Sequence, residues 1–493
     1  MTAGTSPHVV VVGGGIAGLA AAFFLKDEPV RVTLLEGSPH LGGKLSASEV
    51  AGVPMDEGAE ALLARRPEGT ALITATGLGD DLVAAATTSS AIWTRGALRS
   101  LPRRQFMGVP ADMDELAATG VVSAQGAERA RHEPDLPPRP GDISVTDYVG
   151  ARLGAEVVER LVDPLLGGVY AGRSEELSFD ATLAPLAAAT ARYRTLTEAA
   201  ASLIPSAPGA PTDPGAAPPQ AQAPTGSADN SNRRAPAPLF VTLTTGLGAL
   251  PEAVAKAAAA DIRTNAMVRD LERTATGWRL TVGSAADPEY LLADAVILAI
   301  PAAPASRLLS RTVPAASSAL RQIPYASMAI ITLAFRTEDF PAQRRSGYLV
   351  PAVDGKAVKA ATFSTVKWPH LTKHAPVHIV RCSIGRIGET ALLQRDDQDL
   401  ASLAAAELAE ATGITKAPVA HRVTRWGGAL PQYNVGHLDR VARVRDAVKD
   451  QPGLAVAGAA YDGVGIPACV ATARSAADQV MAYLRTDATE RSE

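Results

Sequence analysis

The sequence predicts an α/β protein built around a Rossmann-like dinucleotide-binding unit, into which a mixed-sheet part and a helical part are inserted. Two observations predict it. A β-branched run at 9–12 leads straight into Gly13, Gly15 and Gly18 and an Ala-rich segment ending near Leu25. A second extended run at 31–35 then ends on Glu36, completing one βαβ unit of about 30 residues. Far along the chain, a strand-like run at 454–457 again opens into glycines, Gly458, Gly463 and Gly465, ahead of a last helix starting near Ala468.

Each residue of the first turn has a physical task. Gly13 permits the tight turn, Gly15 lets the backbone approach a pyrophosphate, and Gly18 lets helix and strand pack closely. Gly14, Ile16 and Ala17 complete the loop and the first helical turn, whose free N–H groups and dipole favour phosphate. Glu36 stands 18 residues after Gly18, where a carboxylate accepts ribose hydroxyls.

The middle of the chain reads differently. Residues 143–166 are expected to be helical, with Thr146 as a cap, and 181–204 is Ala-rich and helical. A polar gap is expected at 123–141. Between 205 and 238 there are nine prolines, nine alanines and no large apolar residue, so this stretch is expected to be a disordered insertion. Beyond it, a strand at 240–243 precedes a helix at 250–259, opened by the glycines of 245–248. Further strands are expected at 262–265, 278–282, 294–300, 329–335, 347–350 and 378–383.

The bulk numbers narrow the function. With 493 residues the chain is long enough for two or three domains. A net charge of -4 gives no support to nucleic acid as a partner. The two cysteines, Cys382 and Cys469, and the eight histidines form neither a metal-ligand pattern nor a nucleophile–base pair. No metal and no catalytic side chain is therefore expected, and His370 and His437 are read as structural. No secretory leader and no apolar run long enough to span a membrane is visible, so a cytoplasmic protein is expected, with peripheral membrane contact left open.

Gly42, Gly43 and Lys44 follow Glu36, and Asp56, Glu57, Gly58, Ala59 and Glu60 come next. This arrangement resembles the two-dinucleotide-binding-domain flavoproteins, with Lys44 supplying positive charge to the pyrophosphate side of FAD. The glycine loop at 458–465 would bring a second helix N-terminus to the flavin.

With these residues together, the chain resembles the oxygen-dependent porphyrinogen oxidases of the monoamine oxidase and phytoene desaturase superfamily, over nearly its whole length apart from the insertion. The most specific segment is Asp163-Pro164-Leu165-Leu166-Gly167-Gly168-Val169-Tyr170-Ala171-Gly172. Thr245-Gly246-Leu247, Arg425-Trp426, Pro431-Gln432-Tyr433 and Gly436-His437 match as well. The resemblance implies FAD contacts at Gly13, Gly14, Gly15, Ile16, Ala17, Gly18, Glu36, Gly37, Lys44, Gly58, Ala59, Glu60 and Ala61. It also implies Val268 beside the adenine, Trp426, and Val464, Gly465 and Ile466 by the flavin, with Leu165 and Gly168 in the substrate pocket. Mitochondrial members hold a substrate propionate with an arginine. The matching stretch here, Ser89-Ser90-Ala91-Ile92-Trp93, has none. Arg95, Arg99, Arg103 and Arg104 lie nearby but read as solvated surface residues.

The implied organisation is an FAD-binding domain from 1–85, 240–305 and 425–487, a substrate-binding domain from 86–110 and 306–424, and a helical subdomain at 111–204. The implied reaction is a six-electron oxidation of a porphyrinogen, with hydride passing to the flavin and oxygen leaving as peroxide. A composition rich in Ala and Arg, as in high-GC actinobacteria, favours coproporphyrinogen III. Protoporphyrinogen IX and, further off, an amine are the alternative substrates. Hand-off of the photoreactive product to a chelatase is a compatible partner role.

Overall fold

The computed structural model describes residues 6–135, 139, 141–204 and 238–490. The expected insertion at 205–238 lies outside them except for Pro238. The centre is a five-stranded parallel sheet ordered Asp261–Arg263, Arg31–Leu35, His8–Val12, Ala295–Leu298 and Leu454–Val456. Val9 and Val11 point into one core, and Val10 and Val12 into the other. This alternation explains why the strand reads as an unbroken apolar run: both of its faces are covered. The first core holds the glycine helix, Ile16–Leu25, the helix Leu250–Ala258 and the C-terminal helix, Ile466–Glu490.

The second core corrects one expected boundary. The helices Ala302–Leu309 and Pro314–Arg321 place Leu308, Leu309, Ala316 and Leu320 against the central sheet. The layer packed on the central sheet therefore continues past 305 to Ile323. An antiparallel sheet of Val268–Arg273, Trp278–Gly283 and Pro288–Ala293 also packs here, of which the sequence pattern showed only the middle strand. On the third strand Tyr290 and Leu292 are exposed while Leu291 and Ala293 face the core, so apolar residues on both faces hide its period.

The large sheet has seven strands in the order Ala420–Pro431, Tyr325–Arg336, Val377–Ile384, Val358–Phe363, Gly347–Leu349, Ser90–Thr94 and Ala97–Ser100. Only the Gly347–Leu349 and Ser90–Thr94 pairing is parallel. The outer helix, Asp397–Thr412, covers one face and buries Val358, Ala361, Phe363, Val380 and Cys382 beneath it. The boundary expected at 425 falls inside Ala420–Pro431, a twelve-residue strand whose interior Gly427 and Gly428 disguise it.

Short helices between Met113 and Ser202 form a further core with Leu161, Val162, Leu166, Tyr170 and Phe179. The expected polar gap at 123–141 contains a helix, Ala124–Arg131, capped by the Ser123 hydroxyl on the Gly126 N–H at 2.9 Å. Only Ala127 and Ala130 are buried on it, too little apolar surface to show as a periodic stripe. The cap of Val145–Leu153 is Ser144, which accepts from the Asp147 N–H, whereas Thr146 bonds Ser174. Gly154, at φ +91°, ends that helix, so 143–166 is not continuous. Likewise 181–204 divides into Phe179–Thr182, Ala184–Ala189 and Leu196–Ser202, the last with a capping box of Thr195 and Glu198.

Candidate active site

The glycine turn is built as its residues demand. A β-carbon on Gly13 would lie 2.6 Å from the Ala299 carbonyl oxygen, and one on Gly18 only 1.8 Å from that of Gly13. At Gly15 nothing lies within 4 Å of that position, so the backbone there opens on free space. The glycine helix begins at the same point without a side-chain cap and without an acid in its first turn. The Gly42 N–H donates to the Gly14 carbonyl at 2.8 Å, which sets Gly43 beside Gly15. Glu36 accepts from the Gly14 and Ser38 N–H groups, both at 2.7 Å. Gly37 packs on Met267, the neighbour of buried Val268 at the start of its strand.

Residues 44 and 56–61 form the next wall. Gly58 sits so close to the Lys44 carbonyl that a β-carbon would reach 2.0 Å, and the Ala59 N–H bonds that oxygen at 3.3 Å. The Trp426 indole N–H donates to the Glu57 carbonyl at 3.0 Å. Asp56 accepts from the Leu247 and Gly248 N–H groups at 3.0 and 2.8 Å. Glu60 is committed inward: its carboxylate meets Lys367 at 2.8 Å and Arg381 at 2.5 Å, while Arg381 also donates to the Gly58 carbonyl at 2.6 Å. Burial alone would raise the Glu60 pKa, but the two cations hold it down at about 2. Ala61 leads from this ion triad into the short strand at 62–63.

The C-terminal loop closes the far side. Gly458 lies 3.9 Å from Ala17 by its missing β-carbon, and its N–H donates to the Thr472 hydroxyl at 2.9 Å. The Tyr433 hydroxyl accepts from the Gly463 N–H and donates to the Ala459 carbonyl, both at 2.7 Å, with its ring stacked on His437 at 3.8 Å. Val464 packs against the helical core, Gly465 is exposed, and Ile466 starts the C-terminal helix. Arg381 is a candidate position that a reading of motifs passes over, and Tyr433, part of a matching motif, gains its place only here, because the hydrogen bonds of both span more than 25 residues of sequence.

The segment 163–172 forms the candidate pocket helix, Asp163–Tyr170, entered through a π turn at Val158–Val162. Such turns recur near functional sites. The helix lies against the sheet face opposite the outer helix, where Gly168 is 3.4 Å from Leu349 by its missing β-carbon. Gly168 and Val169 are exposed and Leu165 is half-buried. Gln432 donates to the Tyr170 carbonyl at 2.8 Å and pins the helix end. The four nearby arginines are occupied elsewhere: Arg95 faces Glu156, Arg99 bonds the Thr94 carbonyl, Arg103 pairs with Glu115 and Arg104 with Asp112.

The family model of flavin containing amine oxidoreductases matches residues 16–481. The chain belongs to this family. Among relatives of this flavin oxidoreductase, the coproporphyrinogen III oxidase of Mycobacterium tuberculosis is 35% identical over 96% of this chain and 97% of its own length. That of Bacillus subtilis is 30% identical over 97% and 98%. The chloroplastic protoporphyrinogen oxidase of Nicotiana tabacum is 26% identical over 96% and 85%. A crystal structure from Exiguobacterium sp. 255-15, named as a candidate protoporphyrinogen oxidase, aligns at TM-score 0.81 and 30% identity over 97% of this chain and 99% of that one. Putrescine oxidase, at TM-score 0.68 and 15% identity, shares the fold.

FAD, the cofactor of this flavin oxidoreductase, fits the residues present. The open space at Gly15 and the uncapped helix end suit its pyrophosphate. Lys44 is half-buried with no acid paired to it among the described residues, and burial lowers its pKa. A half-buried ammonium without a partner, one residue after Gly43 on Gly15, suits a negatively charged ligand.

Proposed function

We propose that this flavin oxidoreductase converts coproporphyrinogen III to coproporphyrin III. Six electrons and six hydrogens leave the macrocycle in three two-electron steps, and three molecules of oxygen become hydrogen peroxide. Full-length likeness to coproporphyrinogen III oxidases at 35% identity carries this reading. FAD, when bound, supplies the two-electron acceptor. The chain's own part is to hold and shield. Gly13, Gly14, Gly15, Ile16, Ala17 and Gly18 receive the pyrophosphate together with Lys44, and Glu36 with Gly37 takes the ribose. Val268 borders the adenine. Gly58, Ala59, Glu60 and Ala61 with Trp426 wall one side of the flavin, and Val464, Gly465 and Ile466 the other. Leu165 and Gly168 line the substrate space on the pocket helix. Pyrrole N–H protons can leave to water, so no side chain is assigned as a base.

We place the reaction in the cytoplasm, with a chelatase taking the photoreactive product. The tobacco relative supports a second reading, protoporphyrinogen IX oxidation. The test is to reduce each porphyrinogen anaerobically, add enzyme, admit air and follow porphyrin fluorescence. Faster turnover of coproporphyrinogen III is expected. A clear preference for protoporphyrinogen IX selects the second reading, and oxidation of neither overturns both.

A further inference from the structure

Lys359 is the least explained charge in the protein. Its exposure is 4%, and its ammonium has neither a hydrogen bond nor an ion pair among the described residues. Lysine is rarely buried without a partner, because an uncompensated charge in a low-dielectric site costs more than packing returns.

Its position shows which way it faces. Val358 pairs with Ile384 and Ala360 with Ser383, so Lys359 is the extra residue of a bulge in Val358–Phe363. Bulges re-aim a side chain. Val358 lies beneath the outer helix, and Glu407 of that helix accepts the Val358 N–H at 2.8 Å. The charges that Lys359 feels are instead Arg386 and Glu389. These two belong to the other face: the neighbouring Ile387 N–H donates to the Ala171 carbonyl at 2.8 Å, and Glu389 pairs with Arg173 just past the pocket helix. Lys359 therefore stands within electrostatic reach of the end of the sheet where its strand meets the pocket helix. One register step away, Leu349 opposes Ala360 and meets Gly168.

Among the described residues no acid pairs directly with Lys359, and Glu389 acts on it only from a distance. Glu389 is shared between Arg173 at 3.4 Å and Arg386 at 3.7 Å. The carbonyls of Tyr170 and Ala171 are taken by Gln432 and Ile387. Asp163 is engaged by Ser174 at 2.8 Å. Lys359 and Arg386 thus share a corner in which Glu389 is already paired.

We propose that Lys359 receives one propionate carboxylate of a tetrapyrrole lying between the pocket helix and the large sheet, a role that rests on the porphyrinogen reading above. Arg386, fixed by the Val350 and Lys356 carbonyls, adds positive potential without leaving its place. A bound carboxylate converts an unpaired buried ammonium into a charge-assisted pair. Burial together with Arg386 pushes the Lys359 pKa down to about 7, as expected of an ammonium awaiting a counter-ion.

The test uses FAD-loaded wild type, K359M and K359R. The probes are coproporphyrin III and its tetramethyl ester, with binding read by porphyrin fluorescence and KM for coproporphyrinogen III measured alongside. K359M is expected to weaken coproporphyrin III binding and raise KM by tenfold or more, with ester binding within threefold of wild type. K359R, which keeps the charge, should retain most of the affinity. Unchanged coproporphyrin III binding by K359M overturns the proposal, and so does equal weakening of both probes. Should K359M not fold, K359Q takes its place under the same criteria. If wild type itself binds and oxidises no porphyrinogen, it is the porphyrinogen reading that falls. If wild type binds and K359M binds equally well, only the role of Lys359 falls.

Discussion

Two glycines five ångströms or so apart along the same turn do different work, and substitution separates them. Alanine at Gly15 places a methyl into open space, so the fold should persist while FAD affinity drops at least tenfold, or about 1.4 kcal/mol. Alanine at Gly18 drives a methyl into the Gly13 carbonyl and should destabilise the protein on the order of 1–3 kcal/mol. Flavin absorbance after desalting and apoprotein melting distinguish the two. Glu60 makes a pH prediction. Its pKa falls from the ordinary value to about 2, so its contribution is present above pH 4.5 and is lost as pH falls toward 2. Asp56 has the opposite sign. Burial raises it to about 6, so it favours the fold below its ordinary range and loses that contribution as pH rises through 6. Denaturant melts of wild type and E60Q between pH 2 and 5 should show the wild-type loss of roughly 3 kcal/mol flattened in the variant.

At the scale of elements, the C-terminal loop depends on one hydroxyl. Y433F removes the acceptor of the Gly463 N–H and the donor to Ala459, and should cost about 1–3 kcal/mol of loop order. Faster FAD release than wild type, measured by recovery of flavin fluorescence on dilution, is the expected result. Elements also show where sequence reading succeeded. The βαβ unit, the helix opened by 245–248 and the strand before the C-terminal loop were legible because local pattern and tertiary role coincide there. The strand Ala420–Pro431 and the helix Ala124–Arg131 were not, since glycines and small residues hide the period of each. In the candidate site the glycines announced themselves, while Tyr433, Arg381 and Lys359 gained meaning only once distant strands were placed side by side.

For the whole molecule, the proposed cofactor space lies between segments from the two ends of the described chain, and one of its walls is tied to the large sheet through Glu60, Arg381 and Lys367. FAD should therefore stabilise the molecule globally. At free FAD one hundred times its dissociation constant, about 2.7 kcal/mol is expected, and calorimetry with and without FAD should show the main transition itself moving upward. The strand order adds a consequence in time. Leu454–Val456 pairs beside Ala295–Leu298, so the loop carrying Gly463 emerges about 450 residues after Gly13. At roughly 5–20 residues per second, the ribosome exposes the glycine turn for about 20 to 90 seconds before its opposite wall exists. A nascent chain in that interval has one wall of the proposed cradle, so tight flavin retention is expected only after the last elements are made.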